Sequence, residues 1–208
     1  YYDGDEDTDA EQLVRRADQA MYQAKQDGKN RFHVFDEARD RAVRGRQEKI
    51  GRIQQALRER EFVLYYQPKV NLRSGELVGV EALIRWQHPD RGLLAPGLFL
   101  PEVDNHPVGL AVGEWVIDTA LTQVEAWQAQ NLDLPVSVNI AAHHLQQPDF
   151  IARLKALLAA HPSVRPDRLE LEVLESSALE YVGTVSSIIA ACADLGVSFA
   201  LDDFGTGY

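Results

Sequence analysis

The sequence predicts an α/β fold with parallel strands, and three observations lead there. From Glu61 onward, short β-branched and aromatic runs alternate with segments of helical period, the pattern of strands joined by crossover helices. Acidic and amide residues recur near the ends of those runs, at Glu81, Asn139, Glu172 and Asp202-Asp203. No short-period repeat is present that would point to a solenoid.

The elements follow in order. Residues 1–12 are acidic, with Asp3, Asp5, Glu6, Asp7, Asp9 and Glu11, and a solvated loop explains them more simply than a metal site does. Asp9 and Gln12 have the spacing of a capping box. Leu13, Val14, Ala17, Ala20, Met21 and Ala24 then recur at helical spacing up to a stop at Gly28. Arg31–Phe35 reads as a short strand. This first unit is too small for its own core and looks like the tail of a domain. Residues 36–60 mix eight Lys or Arg with five Asp or Glu around a thin seam of Val43, Ile50, Ile53 and Leu57. That suits an exposed connecting helix weakened at Gly45 and Gly51, serving either as a linker or as a dimer-forming coiled segment. Beyond it, strands are expected at Phe62–Pro68, at Leu77–Leu83 after a turn at Gly75, and at Val136–Ile140, Leu169–Val173 and Val197–Leu201. Helices are expected near 109–130, 150–160 and 180–194.

Composition narrows the class. The apolar and charged fractions, 45% and 25%, are ordinary for a globular protein. A net charge of −11 opposes general binding of DNA or RNA, which calls for a basic face. Cys192 is the only cysteine, so no internal disulfide forms; its neighbours Val185, Ile188 and Ile189 mark it as a core thiol rather than a nucleophile. No apolar run is long enough for a membrane span. The expectation is a cytoplasmic segment without direct membrane contact, any anchor of the parent protein lying outside it.

Strand alternation puts Leu169, Leu171 and Val173 on one face, against helices, and Glu170 and Glu172 on the other. An inward carboxylate is costly unless a cation or hydrogen bonds offset it. In a parallel barrel the carboxyl ends of the strands converge on one face, and several hard oxygen donors gathered there suit Mg²⁺ or Mn²⁺. Taken singly, each residue also admits a structural role. Asn139 could bond backbone, Asp202–Gly207 could form a turn, and Glu81 could pair with Arg85. His88, His143 and His144 fit no zinc signature.

The blocks that carry a family likeness are Tyr66-Gln67-Pro68-Lys69, Glu81-Ala82-Leu83-Ile84-Arg85-Trp86, Phe99-Leu100-Pro101, Ser137-Val138-Asn139, Leu169-Glu170-Leu171-Glu172 and Asp202-Asp203-Phe204-Gly205-Thr206-Gly207. In that order, over residues 61–208, they resemble the EAL phosphodiesterase domain. Arg16–Lys25 and Gly28-Lys29-Asn30-Arg31 resemble the closing segment of a GGDEF domain. The resemblance implies three parts: residues 1–36 as an α/β remnant of a GGDEF domain, 37–60 as a helical linker, and 61–208 as the N-terminal part of a TIM-type (β/α) barrel. It further implies metal-dependent hydrolysis of cyclic di-GMP to linear pGpG with two divalent cations, Mg²⁺ or Mn²⁺, in a homodimer. Glu81, Asn139, Glu172 and Asp202 match metal ligands. Asp203 matches the ligand of the second cation that also holds the attacking water, and Glu175 matches the residue that steadies a loop over the site. Gln67 and Arg85 match contacts to the cyclic dinucleotide. The alternative within the family is a receptor that binds the dinucleotide without cutting it. Leu174 stands where the family usually has Thr. The family's downstream lysine, acid and glutamine fall beyond Tyr208, so the 208 residues are expected to be an excerpt of a longer protein, an incomplete barrel and inactive alone.

Overall fold

The chain divides into two compact units, Tyr1–Lys49 and Ile50–Tyr208. The computed structural model describes residues 10–26, 28, 30, 32, 36–174 and 182–202. In the first unit, α1 spans Ala10–Gln26, so the expected acidic loop gives way to helix two residues before Gln12; Asp9 lies outside the described residues. Gly28 beyond the helix end has φ +106°, the left-handed conformation that stops helices. Of the strand expected at 31–35 only Phe32 is described, and it is in no strand. Helix α2 spans Glu37–Arg58. Asp36 caps it, its Oδ1 accepting from the Arg39 amide at 3.1 Å. The helix runs unbroken through Gly45 and Gly51, whose α-carbons face open space.

The second unit is built on a six-stranded sheet, β1 (Phe62–Val70), β2 (Leu77–His88), β3 (Gly92–Leu94), β4 (Val136–Asn139), β5 (Leu169–Leu174) and β6 (Ser198–Asp202). The order is β1-β2-β4-β5-β6, with β3 paired to β2. Strands β2, β4, β5 and β6 are parallel neighbours. The all-parallel expectation fails at β1 and β3, which pair antiparallel to β2. The reason is the length of the connections. Asn71 closes a tight turn, accepting from the Gly75 amide through its carbonyl at 2.7 Å and from the Arg73 amide through its side chain, and so short a loop can only return the chain antiparallel. Among the described residues six strands stand where five were expected, the short β3 being the addition. Glu81 does not end its strand as expected. It sits inside β2, because the alternation continues through Ile84 and Trp86 and pairs with Phe62 and Leu94.

The remaining helices are α3 (Leu100–Val103), α4 (Pro107–Gln128), α5 (Ala142–Leu145), α6 (Phe150–Ala160) and α7 (Val182–Asp194). One face of the sheet forms the core. Val80, Ala82, Ile84 and Trp86 of β2, Val136 and Val138 of β4, and Leu169, Leu171 and Val173 of β5 are all buried, with Val112, Val116, Ala120 and Val124 of α4. Each large apolar side chain buried this way contributes about 1.5–3 kcal/mol. Phe62, Trp86 and Phe99 pack with ring centroids 5.4–5.6 Å apart. Tyr66 lies edge-on to Trp127 at 4.9 Å, and burial pushes its hydroxyl pKa up to about 12. Cys192 is a buried core thiol, as its surroundings predict; burial raises its pKa to about 11. Among the described residues no helix is long and apolar enough to cross a membrane.

Candidate active site

The opposite face of the sheet is polar, and strand parity builds it. Odd residues of β1 and β2 and even residues of β5 and β6 avoid the apolar face. The register sets Gln67 beside Glu81 and Val63 beside Arg85. It then sets Glu81 beside Ser137, Ser137 beside Glu170 and Asn139 beside Glu172, and Leu174 beside Asp202. Neighbouring strands lie about 4.8 Å apart, so the expected residues of four parallel strands fall within one or two side-chain lengths of their neighbours.

Asn139 donates from Nδ2 to Glu81 Oε1 at 2.8 Å, which joins two of the expected ligands. Glu81 thus turns to Asn139, and among the described residues no ion pair joins it to Arg85. Arg85 donates to the carbonyl of Ile84 at 2.9 Å, and its guanidinium lies 5.9 Å from the centre of the Tyr65 ring. Glu172 is only 7% exposed, and what offsets its burial is Lys69. The Lys69 ammonium donates to Glu172 Oε1 at 2.5 Å, to Glu170 Oε1 at 2.9 Å and to Ser137 Oγ at 2.6 Å. Ser137 in turn donates to Glu170 Oε1 at 2.6 Å. Burial alone would lower the Lys69 pKa, but Glu172 and Glu170 outweigh it and raise it. Burial likewise opposes the charge on Glu170, yet Ser137 and Lys69 hold its carboxyl below the usual range.

Lys69 is a residue of this face that the sequence alone does not single out. It stands in the Tyr66–Lys69 block, and the signal that could have found it is parity: it shares the face of Gln67, where two inward glutamates need a cation. Gln67 is exposed, and Asp202 is half-buried at the end of β6. Glu175 and Asp203 lie outside the described residues. The donors fit a hard divalent cation in kind, being carboxylates and an amide oxygen. Among the described residues no three His, Cys, Asp or Glu side chains are gathered closely enough to hold one; Glu81 faces Asn139, and Glu172 faces Lys69.

Fold and site together define an α/β protein whose mixed sheet, parallel through β2, β4, β5 and β6, lines one face with hard oxygen donors. The chain belongs to the EAL domain family, whose model matches residues 50–208. It is similar to the bifunctional diguanylate cyclase/cyclic di-GMP phosphodiesterase MucR of Pseudomonas aeruginosa, at 36% identity over 208 residues, 100% of the chain and 30% of that protein. It is also similar to the cyclic di-GMP phosphodiesterase PdeR of Escherichia coli, at 34% identity over 201 residues, 97% of the chain and 30% of that protein. The chain therefore spans 30% of the length of both relatives. Among solved structures, a PaMucR phosphodiesterase in complex with c-di-GMP matches with a TM-score of 0.73 and 38% identity, covering 77% of this chain and 65% of that one.

Proposed function

We propose that the protein containing this chain hydrolyses cyclic di-GMP to linear pGpG in a reaction that requires two divalent cations, Mg²⁺ or Mn²⁺. One observation carries the reading: Glu81, Asn139, Glu172 and Asp202 occupy one face of four adjacent parallel strands in a chain of the EAL family. When bound, such cations lower the pKa of a water and stabilise the oxygens of an in-line displacement. The chain's own residues do the rest. Glu81, Asn139, Glu172, Asp202 and Asp203 supply the oxygen ligands, Asp203 also orients the attacking water, and Glu175 steadies a loop over the site. Gln67 and Arg85, on the same face, hold the dinucleotide.

The sheet is proposed to be the first part of a TIM-type barrel. Supporting this, Lys69 on β1 reaches Glu172 on β5 across three inter-strand spacings of about 4.8 Å, further than the two side chains reach over a flat sheet. Residues 1–36 are read as the end of a GGDEF domain, 37–60 as a linker and 61–208 as EAL domain; the match to a bifunctional cyclase/phosphodiesterase along the whole chain supports that division. The cytoplasm is the expected location and a homodimer the expected state.

The test is turnover of cyclic di-GMP by the full-length protein with Mg²⁺, and its loss in EDTA. Binding without turnover selects the receptor reading instead, and turnover undiminished by EDTA removes the cations from the mechanism. Arg85→Ala is expected to weaken dinucleotide binding about 10–100-fold, the size of a charge-assisted guanidinium–phosphate contact. Affinity measured in Ca²⁺ checks this, and an unchanged Kd makes Arg85 a structural residue of β2.

A further inference from the structure

Lys69 donates to three acceptors on the polar face of the sheet, and the proposed chemistry assigns it nothing. Its three donors are matched to three acceptors, Ser137 Oγ, Glu170 Oε1 and Glu172 Oε1, at 2.5–2.9 Å, which is the full capacity of an ammonium group. Gly79 faces Lys69 across the hairpin, so no side chain blocks its path toward β4 and β5. A Cβ on Gly79 would press on Pro135 O at 3.1 Å, which keeps that position bare. The Glu172 side chain is 9% exposed, and a carboxylate so placed is costly without a positive partner.

We infer that Lys69 is a resident counter-ion of this face, holding Glu172 and Glu170 and yielding Glu172 when a divalent cation binds. The inference rests on the proposed role of Glu172 as a ligand. A divalent ion on Glu172 would repel an ammonium at hydrogen-bond distance, so the two compete for one carboxylate. The Lys69 side chain is 38% exposed and unbranched, so it can swing toward solvent as the ion enters. Lys69 is thus a positioning residue. It holds Glu172 and Glu170 together and sets the cation concentration at which the site fills.

The test is hydrogen exchange by mass spectrometry on the full-length protein, read on peptides covering 136–139 and 169–174, in a Mg²⁺ titration. Without Mg²⁺, Lys69→Met should exchange these strands about tenfold faster than the parent, since β4 and β5 lose their shared cation. Mg²⁺ should restore protection in Lys69→Met at a half-saturating concentration about tenfold lower than in the parent, because one competing charge is gone. Lys69→Arg keeps the charge and should recover metal-free protection, which a purely steric role for Lys69 would not produce. Glu172→Gln should show no Mg²⁺ response on 169–174. Unchanged metal-free exchange in Lys69→Met overturns the counter-ion role, and a half-saturating concentration that is unchanged or higher overturns the competition. If Mg²⁺ protects neither parent nor variant, the ligand role of Glu172 fails and the competition with it, while the metal-free comparison still decides the counter-ion role.

Discussion

Glu81→Ala in the full-length protein is expected to lower turnover of cyclic di-GMP by about 10³-fold, on the scale of several kcal/mol of lost charge stabilisation. The fold should survive. Glu81 is half-exposed on the polar side of β2, where it accepts from Asn139; the apolar side of the same strand, Val80, Ala82, Ile84 and Trp86, carries the packing. Stability should therefore change by about 1 kcal/mol or less, the worth of one exposed hydrogen bond. Glu81→Gln sharpens the test, because its amide oxygen can still accept from Asn139 but lacks the charge. Both variants should be inactive with near-parent unfolding midpoints. Parent-like turnover in Glu81→Gln would reduce Glu81 to a structural partner of Asn139 and remove it from the ligand set.

Acid should unfold the EAL unit earlier than its carboxylates alone would dictate, through His144. This ring is 3% exposed. It packs edge-on to Phe150 at 5.4 Å and against Gly113 of α4, where a Cβ would meet its Nδ1 at 2.6 Å. Burial is the main cause that lowers its pKa from 6.5 to about 4. Because the folded pKa lies below the unfolded one, the unfolded chain takes up the proton first. The stabilisation is whole above pH 6.5 and declines as pH falls, the loss reaching about 3 kcal/mol at pH 4. His161 has the opposite sign. Burial works against its charge, but Asp118 at 3.0 Å and Glu125 at 3.1 Å overcome it and raise the pKa. Its contribution is whole below pH 6.5 and is lost as pH rises through the raised value. The measurement is urea unfolding followed by tryptophan emission at pH 7 and pH 4.5, parent against His144→Gln. The gap between the two proteins should narrow at the lower pH, and a constant gap would show that His144 does not titrate on unfolding.

What the sequence determined by itself is local. The alternation Leu169-Glu170-Leu171-Glu172-Val173 assigns each side chain to a face without reference to any other strand, and Leu169, Leu171 and Val173 are indeed buried. The helix expected around residues 150–160 is found at Phe150–Ala160. Family membership was readable too, since ordered motifs survive in one dimension. Tertiary structure decided what depends on pairing. That Glu81 lies inside its strand follows from β2 being gripped on both sides, by β1 and by β3, and nothing in residues 77–88 alone sets that length. That Asn139, rather than Arg85, meets Glu81 follows from the β2–β4 register. Lys69 meets Glu172 from 103 residues away, a contact that exists only because β1, β2, β4 and β5 lie side by side in one sheet. Side-chain parity is a property of one strand, whereas charge compensation is a property of several strands at once, and for that reason only the folded sheet shows which cation the buried carboxylate has.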